Sequence, residues 1–106
     1  MQEMNPQQVY QYLQTSENNP RLLDVRERWE FDICRIEGAE HIPMGTIPQQ
    51  LDKLDPAQEI IVICHHGVRS RMVGRFLEQE KFSNIINLSG GVAAWAQSVD
   101  PAMATY

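Results

Sequence analysis

Along this chain short apolar runs alternate with stretches in which apolar residues recur at helical spacing. The most continuous run is IIVIC, Ile60 to Cys64. Its β-branched residues, with no polar position between them, predict a strand buried on both faces, as in a parallel sheet covered by helices. LLDV (Leu22 to Val25) and NIINL (Asn84 to Leu88) predict two more strands, and AEHIP (Ala39 to Pro43) a brief one stopped by its proline. Asn5 and Pro6 read as an N-cap and first helical residue, and Val9, Tyr10 and Leu13 then share a face, so a helix is expected from about Pro6 to Leu13.

Further along, RERWEFDIC predicts a short helix, and Ile47, Leu51 and Leu54 recur at helical spacing. Met72, Val73, Phe76 and Leu77 form an apolar stripe that predicts a helix from about Ser70 to Glu80. Gly90 and Gly91 break the chain before VAAWAQSV, a last short helix, and the DPAMATY ending reads as irregular. Strands alternating with helices predict βαβ units, hence an α/β fold with a small, mostly parallel sheet flanked by helices.

Composition narrows the function classes. A chain of 106 residues, 42% hydrophobic and 22% charged, suits one globular domain spanning residues 1–106. The formal net charge of −5 argues against a nucleic-acid or anionic-membrane partner, since such surfaces need clustered Lys and Arg. Locally the balance reverses: Arg69, Arg71 and Arg75 fall between Cys64 and Phe76 with no acid among them. The N-terminal stretch lacks the basic and apolar regions of a signal peptide, and no apolar run is long enough to span a bilayer, so a cytoplasmic location is expected. In that compartment Cys34 and Cys64 are expected as free thiols rather than a disulfide.

The chemistry concentrates in ICHHGVRS, Ile63 to Ser70. Ligands of open α/β sheets bind beyond the carboxyl ends of the strands, where Cys64 falls. The residues His65, His66, Gly67, Val68 and Arg69 then lead into the next helix, so their N–H groups can curl around the sulfur while the helix N-terminus faces it. Such a cradle holds an anion and favours a thiolate, with Arg69 and Arg71 adding positive charge. Gly67 suits a turn that needs positive φ or close backbone approach. A cysteine ending an apolar strand is often inert core, yet a core position rarely leads into a loop carrying glycine and arginine at a helix N-terminus. His65 and His66 read as loop walls. No metal site is expected, because consecutive residues cannot easily converge on one tetrahedral ion and the usual CxxC or HxxxH spacings are absent. His41 reads as structural.

Taken in order and spacing, LLDVRE, EGAEHIP, CHHGVRS and NLSGGVAAW resemble the single-domain rhodanese family of sulfurtransferases, over nearly the whole chain. The resemblance implies the rhodanese fold, no cofactor, and a ping-pong cycle in which Cys64 carries a persulfide. A small anionic donor such as thiosulfate would supply the sulfur, and cyanide, a thiol or a sulfur carrier would accept it. Carried over, Cys64 is the nucleophile, His65 to Arg69 surround its sulfur, Arg69 is the clamp for an anionic donor, and Asp24 and Arg26 brace the site or form a structural ion pair. Where the family usually shows a GHIPGA-like segment this chain has CRIEGA, which puts Cys34 and Arg35 at the glycine and histidine and Glu37 at the proline. Cys34 is expected to be a bystander rather than a resolving thiol. The DPAMATY ending resembles tails of rhodanese domains fused to ubiquitin-activating-like enzymes that serve sulfur carriers.

Two rival readings remain. Cys-based phosphatases and arsenate reductases also place a cysteine before an anion-binding loop closed by arginine, but their signature is C-x5-R and this chain has C-x4-R. A regulatory rhodanese module would only bind a partner. Such modules commonly lack the cysteine.

Overall fold

A computed structural model describes all 106 residues. Five strands form one parallel sheet: β1 (Gln2–Met4), β2 (Arg21–Asp24), β3 (Glu40–His41), β4 (Ile60–Ile63) and β5 (Ile85–Leu88), ordered β1-β5-β4-β2-β3. Four α-helices, α1 (Pro6–Thr15), α2 (Arg28–Ile33), α3 (Val68–Gln79) and α4 (Gly91–Ser98), and a 3₁₀ helix, Met44–Lys53, connect them. The α/β reading with helices on both faces therefore holds.

β4 sits in the middle of the sheet, paired with β2 and β5, and all four of its residues are buried. Because side chains alternate across a strand, Ile60, Val62 and Cys64 face one layer and Ile61 and Ile63 the other. The first layer packs against Val73 and Leu77 of α3 and Ile47 and Leu54 of the 3₁₀ region. The second packs against Val9 of α1 and Val92 and Trp95 of α4. Each such buried side chain contributes about 1.5–3 kcal/mol, so a one-residue slip of β4 is heavily penalised. This parity puts the Cys64 side chain on the α3 side of the sheet.

Some boundaries differ from expectation. α1 runs two residues beyond Leu13 and starts with a capping box, Asn5 Oδ1 accepting from the Gln8 N–H while Gln8 Oε1 accepts from the Asn5 N–H, both at 2.8 Å. The Ile47, Leu51 and Leu54 stripe adopts 3₁₀ geometry, with Pro48 inside it removing a donor that an α-helical ladder would use. α3 begins at Val68, two residues ahead of the expected Ser70. β1, polar and three residues long, carries no apolar pattern and was not foreseen; it forms because β5 presents a free parallel edge, pairing Glu3 with Asn87. No helix is long and apolar enough to cross a membrane.

Candidate active site

Cys64 follows β4 directly and is 1% exposed. Its Sγ accepts the Gly67 N–H at 3.0 Å, a bond possible because Gly67 takes a φ of +95° and turns the backbone inward. Gly67 is also the N-cap of α3, so the positive end of a 12-residue helix begins beside the sulfur. The loop is held from behind by α4. The Val92 N–H donates to the Cys64 carbonyl at 2.9 Å and the Ala93 N–H to the His65 carbonyl at 3.1 Å.

Beneath the loop runs a buried polar chain that sequence reading missed. The Cys64 thiol donates to Ser70 Oγ at 3.3 Å, and Ser70 in turn donates to Asn87 Oδ1. The Asn87 amide donates to the Gly67 carbonyl at 3.1 Å and to Glu3 Oε1 at 2.9 Å. Ser70 and Asn87 are fully buried. Ser70 closes the ICHHGVRS stretch in the first turn of α3, a position that could have flagged it; Asn87 is the single polar residue within the IINL strand, an equally usable signal.

The two arginines that follow the loop are both bound to carboxylates. Arg69 makes a two-pronged pair with Glu30, both bonds at 2.8 Å, and Arg71 bonds to Glu3 at 2.8 Å. The Arg69 bonds hold the Glu30 carboxyl down at about 2, against the effect of burial and with help from the Glu27 N–H and Tyr106. Likewise Arg71, with Ser89 and Asn87, holds Glu3 at about 2. Arg69 itself is pushed further up by Glu30.

Asp24 and Arg26 form a fully buried ion pair at 2.7 Å. Arg26 also donates to the Cys34 carbonyl at 2.6 Å and to the Tyr106 hydroxyl at 2.9 Å, so its guanidinium is engaged away from the cysteine loop. Tyr106 passes the chain on by donating to Glu30 Oε1 at 2.9 Å, and its ring stacks on His65 at 4.0 Å. Burial raises its phenol to about 12, and Arg26 opposes that rise. The irregular tail thus ends as a wall of the site, which no periodicity announced. Burial, then the neighbouring His66, lowers the His65 imidazole, while His66 and Val68 are exposed at the surface. Cys34 lines a cavity of about 230 Å³ with His65, Val92 and Tyr106, and both cysteines are free. His41 hydrogen-bonds the Arg26 carbonyl at 2.7 Å and stacks on Phe31, a structural placement.

A parallel α/β sheet whose central strand delivers a cysteine into a short loop at a helix N-terminus defines a protein of the loop-cradled thiol class. Within that class, the family described as Rhodanese-like domain matches residues 5–98, and the chain belongs to it. Thiosulfate sulfurtransferase GlpE of Actinobacillus succinogenes is 31% identical over 104 residues, covering 98% of this chain and 92% of that protein. Putative sulfur carrier protein YrkF of Bacillus subtilis is 36% identical over 80 residues, and there the match covers 76% of this chain but 43% of that protein. The crystal structure of a rhodanese-like domain protein from Staphylococcus aureus superimposes with a TM-score of 0.83 at 30% identity, covering 90% of this chain and 91% of that one.

Proposed function

We propose that this chain is a sulfurtransferase that carries sulfane sulfur as a persulfide on Cys64, taking it from a donor such as thiosulfate and passing it to a thiophilic acceptor, cyanide or a thiol. The observation that carries the reading is the Cys64 sulfur lying 3.0 Å from the Gly67 N–H at the start of α3. A relative covering almost the whole chain and named a thiosulfate sulfurtransferase supports it. Two free cysteines suit a reducing compartment such as the cytoplasm.

The thiol proton, held against Ser70, leaves to solvent, and the thiolate keeps the Gly67 N–H and the α3 N-terminus. It attacks the outer sulfur of thiosulfate; the S–S bond breaks and sulfite departs with the electron pair, leaving Cys64–S–S⁻. Cyanide or an acceptor thiolate then attacks that terminal sulfur, and the Cys64 thiolate is the leaving group. Both half-reactions keep one negative charge on the cysteine side chain, so the Gly67 N–H and the α3 N-terminus stabilise it throughout. A phosphoryl group must sit wholly inside the ring of N–H donors, whereas one sulfur atom needs less room, which favours sulfur transfer for a C-x4-R loop.

The test is intact mass after incubation with thiosulfate. The wild type is expected to gain one sulfur atom, lost again with cyanide, and Cys64→Ser to gain none. Sulfur transfer by the serine variant would remove the nucleophile, and Cys64-dependent release of phosphate from an aryl phosphate would favour the phosphatase rival instead.

A further inference from the structure

The sequence places three arginines after Cys64 with no acid among them, which suggests a strongly positive site. The fold cancels that charge from elsewhere in the chain. Glu30, from α2, lies 39 positions from Arg69, and Glu3, from β1, lies 68 positions from Arg71; each carboxylate meets its arginine directly. Two cations against two anions leave no net charge on the arginines nearest the sulfur. The next pair inward, Arg26 with Asp24, is also neutral as a unit, and protonation of His65 is disfavoured by burial and by His66. Arg75, one turn further along α3, is exposed.

From this arrangement we propose that Glu30 determines donor specificity. By holding Arg69, it makes the site a poor receptor for small dianions such as thiosulfate and favours donors that present one terminal sulfur with at most one charge, as a persulfide does. The inference rests on the sulfurtransferase reading and deepens it.

The physical basis is the cost of freeing Arg69. Glu30 is 3% exposed and cannot follow a departing guanidinium, because it also accepts from the Glu27 N–H and the Tyr106 hydroxyl. A dianion that recruits Arg69 leaves that carboxylate buried without its cation, a costly state. A persulfide asks nothing of Arg69. Its outer sulfur is attacked by the Cys64 thiolate, the S–S bond to the carrier breaks, and the carrier leaves as a thiolate with the electron pair, so no oxidant or reductant is needed. The Gly67 N–H and the α3 N-terminus suffice for the single charge that results.

The experiment compares kcat/KM for thiosulfate and for 2-hydroxyethyl persulfide, which bears no charge beyond its terminal sulfur, with cyanide as acceptor, in the wild type, Glu30→Gln and the double variant Glu30→Gln/Arg69→Ala. Glutamine keeps the shape and an acceptor for the Glu27 N–H. Glu30→Gln is expected to raise the thiosulfate-to-persulfide ratio about ten-fold, mainly through a lower KM for thiosulfate. The gain should shrink as salt is added and vanish in the double variant, behaviour that a merely structural role would not produce. If Glu30→Gln fails to fold, Glu3→Gln, on the exposed edge strand, frees Arg71 and should move the ratio in the same direction by a smaller factor. An unchanged or lowered ratio in the folded variant overturns the proposal while leaving the sulfurtransferase reading intact. A wild type that moves sulfur from neither donor overturns both.

Discussion

Replacing Gly91 by alanine tests whether the cysteine loop depends on the N-terminus of α4. Gly91 has a φ of +60°, and a Cβ built there would overlap the carbonyl oxygens of Cys64 and His65. The left-handed backbone costs an alanine about 1–2 kcal/mol. Relieving the overlap requires α4 and the loop to move apart by roughly 1 Å, beyond the reach of the Val92 and Ala93 N–H bonds to those carbonyls, now at 2.9 and 3.1 Å. Each bond lost costs about 0.5–1.5 kcal/mol more. Together the loss is about 2–5 kcal/mol, out of the 5–15 kcal/mol typical of a folded protein, so the variant should fold but melt at least about 10 °C lower. Because the displaced carbonyls belong to Cys64 and His65 themselves, the sulfur also shifts relative to the Gly67 N–H, and a misplacement of that size can cost roughly 100-fold in rate. Thermal unfolding by circular dichroism, with single-turnover persulfide formation followed by mass at a temperature where the variant is folded, measures both effects. Gly45→Ala is the control, since a methyl there meets nothing within 4 Å. Wild-type melting and wild-type rate in Gly91→Ala would refute the argument that α4 holds the loop.

Two further outcomes follow from the same contacts. Cys34→Ser should retain most thiosulfate:cyanide activity, because Arg26 bonds the Cys34 carbonyl at 2.6 Å and reaches its sulfur only at 3.7 Å; near-complete loss in a folded variant would show that this thiol takes part. Glu30, held at about 2 by Arg69 against an ordinary 4.5, contributes stability in full above pH 4.5 and loses it as pH falls from about 4.5 toward 2. Urea midpoints measured across that window should therefore fall more steeply for the wild type than for Glu30→Gln, and parallel acid limbs would count against the pair.

How much of the site was legible depends on how far apart its members lie in the chain. The Gly67 turn, the adjoining histidines and the Cys64 position all sit within ICHHGVRS, where strand end, turn and helix start follow one another. Arg69 was legible as a cation beside the cysteine, but its engagement was not. As a clamp it was expected to meet an anionic donor; in the fold both of its terminal nitrogens are taken by Glu30. Asp24 and Arg26 were legible as a pair, and the fold buries that pair completely. Tyr106 had no local pattern at all.

The sequence by itself determined the parts whose cause is local. Short apolar runs made Leu22, Ile60 and Ile85 lie in buried strands, Asn5 and Pro6 started α1, and the end of the IIVI run put Cys64 at the mouth of a helix. Tertiary structure decided everything that needed a partner from elsewhere. Gln2–Met4 is a strand only because β5 offers an edge, and that pairing alone carries Glu3 to Arg71 and Asn87. Glu30 meets Arg69 across 39 positions and Tyr106 across 76. Hydrophobic periodicity reports which face a residue buries, whereas the charge left beside the sulfur depends on which carboxylates the folded chain brings to it.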